Sequence, residues 1–95
     1  MTDITVADNP DQHRYEATID GTVAGFAQYE LDGHTIVFVH TEVDDAFEGQ
    51  GVGSTLARAA LDDVRAKGEH KVVAECPFIA KWIHRHPAYQ DLLAA

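Results

Sequence analysis

The chain has 95 residues, 45% hydrophobic and 8% aromatic, the make-up of one small soluble domain across residues 1–95. Its formal net charge of −9, from 7 basic and 16 acidic residues, disfavours a nucleic-acid or anionic-membrane partner, since both need a basic footprint. No run nears the ~18–20 apolar residues of a membrane span, Met1–Ile4 lacks the start of a signal peptide, and Cys76, the only cysteine, excludes an intrachain disulfide or a Cys-rich zinc framework, so a cytoplasmic location without a metal site is expected.

The first half reads as strands. Ile4-Thr5-Val6 is a short strand before the Asn9-Pro10 turn. Asp20-Gly21 and Asp32-Gly33 are hairpin dipeptides suited to type I′ turns, whose two central positions need positive φ. They divide the chain into strands Tyr15–Ile19, Val23–Leu31 and His34–Val43, and in the first of these Tyr15, Ala17 and Ile19 alternate with Glu16 and Thr18. The second half changes period. Val52, Leu56, Ala60 and Val64, with Ala57 and Leu61 beside them, form the apolar stripe of a helix that Gly68 stops. Lys71–Glu75 is a short strand, placed parallel to His34–Val43 by a right-handed crossover. Cys76 is the N-cap of a further helix with Pro77 at its first position; Phe78, Ile79, Trp82 and Ile83 pack one face, and Pro87 ends it before a last turn around Tyr89, Leu92 and Leu93. The expected fold is α+β: an antiparallel meander, one βαβ unit and a short C-terminal helix.

Between the strand ending at Val43 and the first helix lies Glu48-Gly49-Gln50-Gly51-Val52-Gly53-Ser54. A glycine-rich turn opening a helix binds anions, because the backbone approaches closely and the first N–H groups point at the ligand. Charge is distributed to suit: residues 1–48 hold one basic residue against eleven acids, residues 49–95 six against five. The turn has no lysine, which removes a Walker-type P-loop. Gly49-x-Gly51-x-x-Ser54 with Glu75 on the next strand partly imitates a dinucleotide fingerprint, but the third glycine is absent and the hairpins leave no room for a doubly wound sheet.

The third reading is coenzyme A, and it rests on a resemblance. Gly51-Val52-Gly53 and the helix after it resemble motif A of the GCN5-related N-acetyltransferases, usually [Q/R]-x-x-G-x-[G/A]. Closer still is the resemblance to the small N-acetyltransferase-domain-containing-protein-1-type subfamily. It is carried by His40-Thr41-Glu42-Val43, Phe47-Glu48-Gly49-x-Gly51-Val52-Gly53, Cys76-Pro77-Phe78 and His86-Pro87-x-Tyr89, in order, between about Tyr15 and Leu93. Glu48 departs from the broad family, which has Gln or Arg there.

The resemblance implies a minimal fold of that family, an acetyl-CoA or coenzyme A cofactor, and transfer of an acetyl group to a primary amine. It implies backbone binding of the pyrophosphate by Gln50, Gly51, Val52, Gly53 and Ser54, and pairing of the strand end near Glu42 and Val43 with the pantetheine arm in a slot between splayed parallel strands. Cys76, at a strand end and a helix start, would face the acetyl sulfur as nucleophile or as acid; the bland reading is an inert buried thiol. Phe78 borders the same place. His40 and Glu42 share a strand face unless a bulge resets it, and either is a candidate base. Arg85, with Lys81, His84 and His86, is a candidate phosphate partner or a solvated helix face. Tyr89 reads as packing rather than acid, and Trp82 as core or pocket wall. The acidic first half points to a cationic amine or basic protein segment as acceptor. The alternative is a non-catalytic CoA-binding or interaction module.

Overall fold

The computed structural model describes residues 3–94, so Met1 and Thr2 of the N-terminal reading, and Ala95, lie outside it. Strands β1 (Thr5–Asn9), β2 (Arg14–Ile19), β3 (Thr22–Asp32), β4 (Thr35–Val43) and β5 (Lys71–Ala74) form one sheet in sequential order. The first four run antiparallel and β5 joins β4 in parallel. Helix α1 (Val52–Lys67) makes the crossover, α2 (Pro77–Arg85) follows β5, and 3-10 turns occupy Pro10–Gln12, Asp45–Phe47 and Pro87–Leu92. The expected α+β architecture is present. No helix of the described residues is long and apolar enough to cross a membrane.

The two hairpins differ. Asp20 (φ 50°) and Gly21 (φ 79°) are both left-handed between the paired Ile19 and Thr22, as a type I′ turn requires. In the second, Asp32 pairs with Thr35, so the central residues are Gly33 and His34, and only Gly33 (φ 59°) has positive φ. That is the type II′ pattern, and it moves the turn one residue beyond the Asp32-Gly33 pair expected from sequence. The first strand starts at Thr5 and continues to Asn9, because its backbone pairs with all of Arg14–Thr18.

The core is one buried cluster between the sheet and the helices. Tyr15, Ala17 and Ile19 of β2 meet Leu56, Ala57, Ala60, Leu61 and Val64 of α1, the stripe expected from periodicity. Ile79, Trp82 and Ile83 seal it from α2, whereas Phe78 is 42% exposed and departs from the expected packing face. Gly68 (φ 64°) ends α1 with its N–H on Val64 O.

At one end α1 is tied to β1–β3 by a polar relay. Tyr15 donates to Asp63 (2.6 Å), Tyr29 to Asp8 (2.7 Å), and Lys67 bridges the two carboxylates at 2.9 and 3.3 Å. Burial and these acceptors push both tyrosine hydroxyls far above their ordinary range.

Two bulges interrupt the antiparallel pairing of β3, one with β2 and one with β4. Ala17 pairs with Gly25 and Thr18 with Val23, leaving Ala24 extra on β3. Gln28 pairs with His40 and Tyr29 with Phe38, leaving Val39 extra on β4. A bulge reverses which face the following residues present. Ile36 and Phe38 point into the core, but beyond Val39 it is Thr41 and Val43 that point inward, and His40 and Glu42 that are exposed.

Candidate functional site

A cavity of about 470 Å³ opens where β4 hands over to α1 and α2 crosses above. It is lined by Val43, Phe47, Glu48, Gly49, Gly51, Val52, Gly53, Ser54, Phe78, Lys81, Trp82, Arg85 and His86. Residues from two helices and a strand end, far apart in sequence, therefore converge on one concave surface.

Its floor is the glycine turn. The chain leaves β4 through Asp44, whose carboxylate accepts from Ala46 N–H at 2.9 Å and caps the 3-10 turn Asp45–Phe47. Gly49 (φ 82°) and Gly51 (φ 76°) then take left-handed conformations that favour glycine. Gly53 lets the Phe78 ring lie close over the helix start: a Cβ there would lie 2.9 Å from Cζ of Phe78. The first backbone bond of α1 runs from Thr55 N–H to Gly51 O, so the N–H groups of Gly51, Val52, Gly53 and Ser54 precede the helical ladder. Gln50, expected with them, instead donates its N–H to Phe47 O at 3.4 Å. With the dipole of a 16-residue helix behind them and Lys81 and Arg85 on the facing helix, these four N–H groups suit an anion. Glu48 on the same wall opposes one.

Beside the cavity the sheet is split. The parallel ladder ends at Phe38–Ala74, where the N–H groups of Glu75 and Cys76 both donate to Phe38 O (3.0 and 2.9 Å). β4 continues to Val43 with no strand partner on that side among the described residues. Cys76 sits at this fork, 3% exposed, as N-cap of α2. Its thiol donates to Thr41 Oγ1 at 3.3 Å. Thr41 had no signal in the sequence, because the bulge that turns it inward belongs to the β3–β4 pairing.

The site residues expected from sequence are thus sorted into three places. Val43, Gly51, Val52, Gly53, Ser54, Phe78 and Arg85 share the cavity, together with Lys81 and His86; His84 does not line it. Cys76 lies at the fork with Thr41. His40 and Glu42 lie on the exposed face of β4, 3.9 Å apart, with the His40 ring edge-on to Phe26. Glu42 lines a second depression of about 430 Å³ with Arg14, Phe26, Asp44 and Asp45, and Val43 belongs to both.

Tyr89 is a packing residue: its ring meets Trp82 edge-on at 4.9 Å, and its hydroxyl donates to Asp62 (2.8 Å), which with burial raises its pKa. Trp82 is both core and cavity wall. It is 5% exposed, stacked on His86 at 3.8 Å and donating to Ser54 Oγ at 3.1 Å.

A family profile described as GCN5-related N-acetyl-transferase matches residues 14–92. Protein NATD1 of Gallus gallus and of Mus musculus is 42% identical over 65 residues, 67% of this chain and 58% of each relative. The match thus spans under two thirds of those relatives' length. Among solved structures, a GCN5-like protein from Staphylococcus aureus superposes with TM-score 0.72 at 24% identity, covering 100% of this chain and 92% of that one. A ribosomal-protein-alanine N-acetyltransferase from Brucella melitensis gives 0.62 at 16%, covering 99% and 92%. At those identities the two structures speak to the fold.

Proposed function

The chain belongs to the GCN5-related N-acetyltransferase family, and on that footing we propose that it binds acetyl-CoA in the cavity beside the β4–β5 fork and transfers the acetyl group to a primary amine. The observation that carries this reading is a juxtaposition. Four N–H groups outside the helical ladder and two cations suit a pyrophosphate, and the unpartnered end of β4 next to them suits an extended amide-bearing arm. Phe47, Phe78 and Val52 supply apolar wall between the two.

Acetyl-CoA, when bound, supplies the acetyl group as a thioester and leaves as a thiol. Cys76 would serve in one of two ways at the fork. As nucleophile its sulfur gives up a proton, takes the acetyl group and passes it to the amine; as acid its thiol proton goes to the departing sulfur. Thr41 would hold the Cys76 thiol in place through the bond it accepts. The amine must lose a proton, and His40 or Glu42, exposed on β4, would take it from an acceptor approaching over that face. Glu42, Asp44 and Asp45 there favour a cationic amine or basic protein segment.

A second reading, CoA binding without transfer, is favoured by one observation: the candidate bases lie on the face of β4 opposite the Thr41 that meets Cys76. Both readings predict that CoA raises the melting temperature, since a ligand for the folded state stabilises it. Intact-mass analysis after incubation with acetyl-CoA separates them. A gain of about 42 Da, one acetyl group on Cys76, supports the nucleophile. Release of free thiol only when an amine is added supports transfer with Cys76 as acid. Stabilisation by CoA with neither outcome leaves the binding module, and no stabilisation removes both readings.

A further inference from the structure

We propose that Trp82 is a positioning residue that aims the Ser54 hydroxyl at a phosphate of the bound cofactor; this rests on the CoA reading above. An indole N–H can only donate, so in the 3.1 Å contact between Trp82 Nε1 and Ser54 Oγ the serine is the acceptor. The serine proton is thereby turned away from the indole. Ser54 is the third residue of α1, exposed and on the cavity wall, and its hydroxyl makes no other hydrogen bond among the described residues. Its proton is thereby left free for an acceptor seated beside the N–H groups of Gly51–Ser54. An oxygen acceptor bearing negative charge completes that set of donors, whereas an amine or a neutral donor does not.

The indole is held firmly enough to impose this direction. The His86 ring lies parallel to it at 3.8 Å and 12°, with His86 Nδ1 2.6 Å from Trp82 O. The guanidinium carbon of Arg58 stands 5.4 Å from the ring centroid, and Tyr89 meets it edge-on. A clamped donor fixes the rotor of its acceptor, and preorganised donors lose little entropy on binding.

Calorimetric titration with CoA, and with pantetheine, which lacks the phosphates, tests this in the wild type, Trp82→Phe, Ser54→Ala and the double variant, each checked for folding by circular dichroism. Ser54→Ala should weaken CoA about tenfold, the worth of one hydrogen bond to a charged group. Trp82→Phe should weaken it about three- to fivefold, a part of the same bond lost through misorientation. In the Ser54→Ala background Trp82→Phe should have no further effect, because its influence passes through that hydroxyl. Ser54→Thr, which keeps the hydroxyl, should restore most of the affinity, and pantetheine should bind all variants alike. Undiminished CoA affinity in Trp82→Phe, an equal loss in the Ser54→Ala background, or a parallel loss for pantetheine overturns the inference and leaves Trp82 as packing. A wild type that does not bind CoA removes the CoA reading and this inference together.

Discussion

Replacing Gly25 by alanine tests the contact that sets the end of β4. Gly25 is buried opposite Val43, and its φ is one any residue adopts, so the effect of a side chain there is steric. A Cβ would lie 2.7 Å from the carbonyl oxygen of Glu42, about 0.6 Å inside the ~3.3 Å at which carbon and oxygen usually meet. It would also press on Val43 Cγ2 and Val52 Cγ1, each at 3.3 Å. The obstacle is backbone, so relief requires β4 to shift against β3. Overpacking of this kind costs about 1–3 kcal/mol. Restricting the unfolded chain returns about 0.4–1 kcal/mol. A net loss of about 1.3 kcal/mol is expected, or about 5–10 °C in Tm for a domain of this size. Gly53→Ala is the control: there the contact is Cζ of the exposed Phe78, which can swing aside, and alanine favours the helix by up to about 1 kcal/mol. Thermal and urea unfolding followed by circular dichroism should rank Gly25→Ala well below wild type and Gly53→Ala near it. Equal Tm values for Gly25→Ala and wild type would refute the claim that the two strand ends are in close contact.

Acid should act through the relay at the other end of α1. Burial alone would raise the Asp63 carboxyl, but the hydrogen bonds from Tyr15 and Lys67 outweigh it and hold the group below its usual range. A carboxylate depressed in the folded state stabilises above its unfolded pKa and loses that contribution as pH falls through the folded value. Asp63→Asn should therefore have a lower Tm than wild type at pH 7, and the two should converge below about pH 4; a constant gap down to pH 3 would mean the charge of Asp63 contributes nothing. In the cavity, Arg85→Ala and Lys81→Ala should each weaken CoA about threefold in low salt and flatten its salt dependence. Wild-type affinity that ignores ionic strength would count against phosphate binding by those cations.

Much of the scaffold was legible because it rests on local periods. Tyr15, Ala17 and Ile19 alternate, the α1 stripe repeats every three to four residues, and Gly68 and Pro77 mark helix ends. Each is a signal within a few residues, and the elements they predicted are present. The glycine turn was likewise visible as a gap between two periods, and with its flanking motifs it marked Gly51, Val52, Gly53, Ser54 and Phe78, which line the cavity, along with Gln50 and Cys76, which do not.

What the sequence could not carry is set by pairing between distant segments. One extra residue at Val39 turns Thr41 toward Cys76 and leaves His40 and Glu42 outside, and nothing in the residue types of β4 announces it, because the bulge is a property of its register with β3. Gly25 looks like a weak point in a strand until the Glu42 carbonyl stands against it. Phe78 continues an apolar face by spacing, yet lies over Gly53, a residue on another helix. The Trp82–Ser54 bond joins residues 28 apart. Composition and period determined that a sheet, a crossover helix and a glycine turn before it would form. Only the tertiary structure decided which side chains meet around that turn, because hydrogen-bond register and close packing depend on both partners at once.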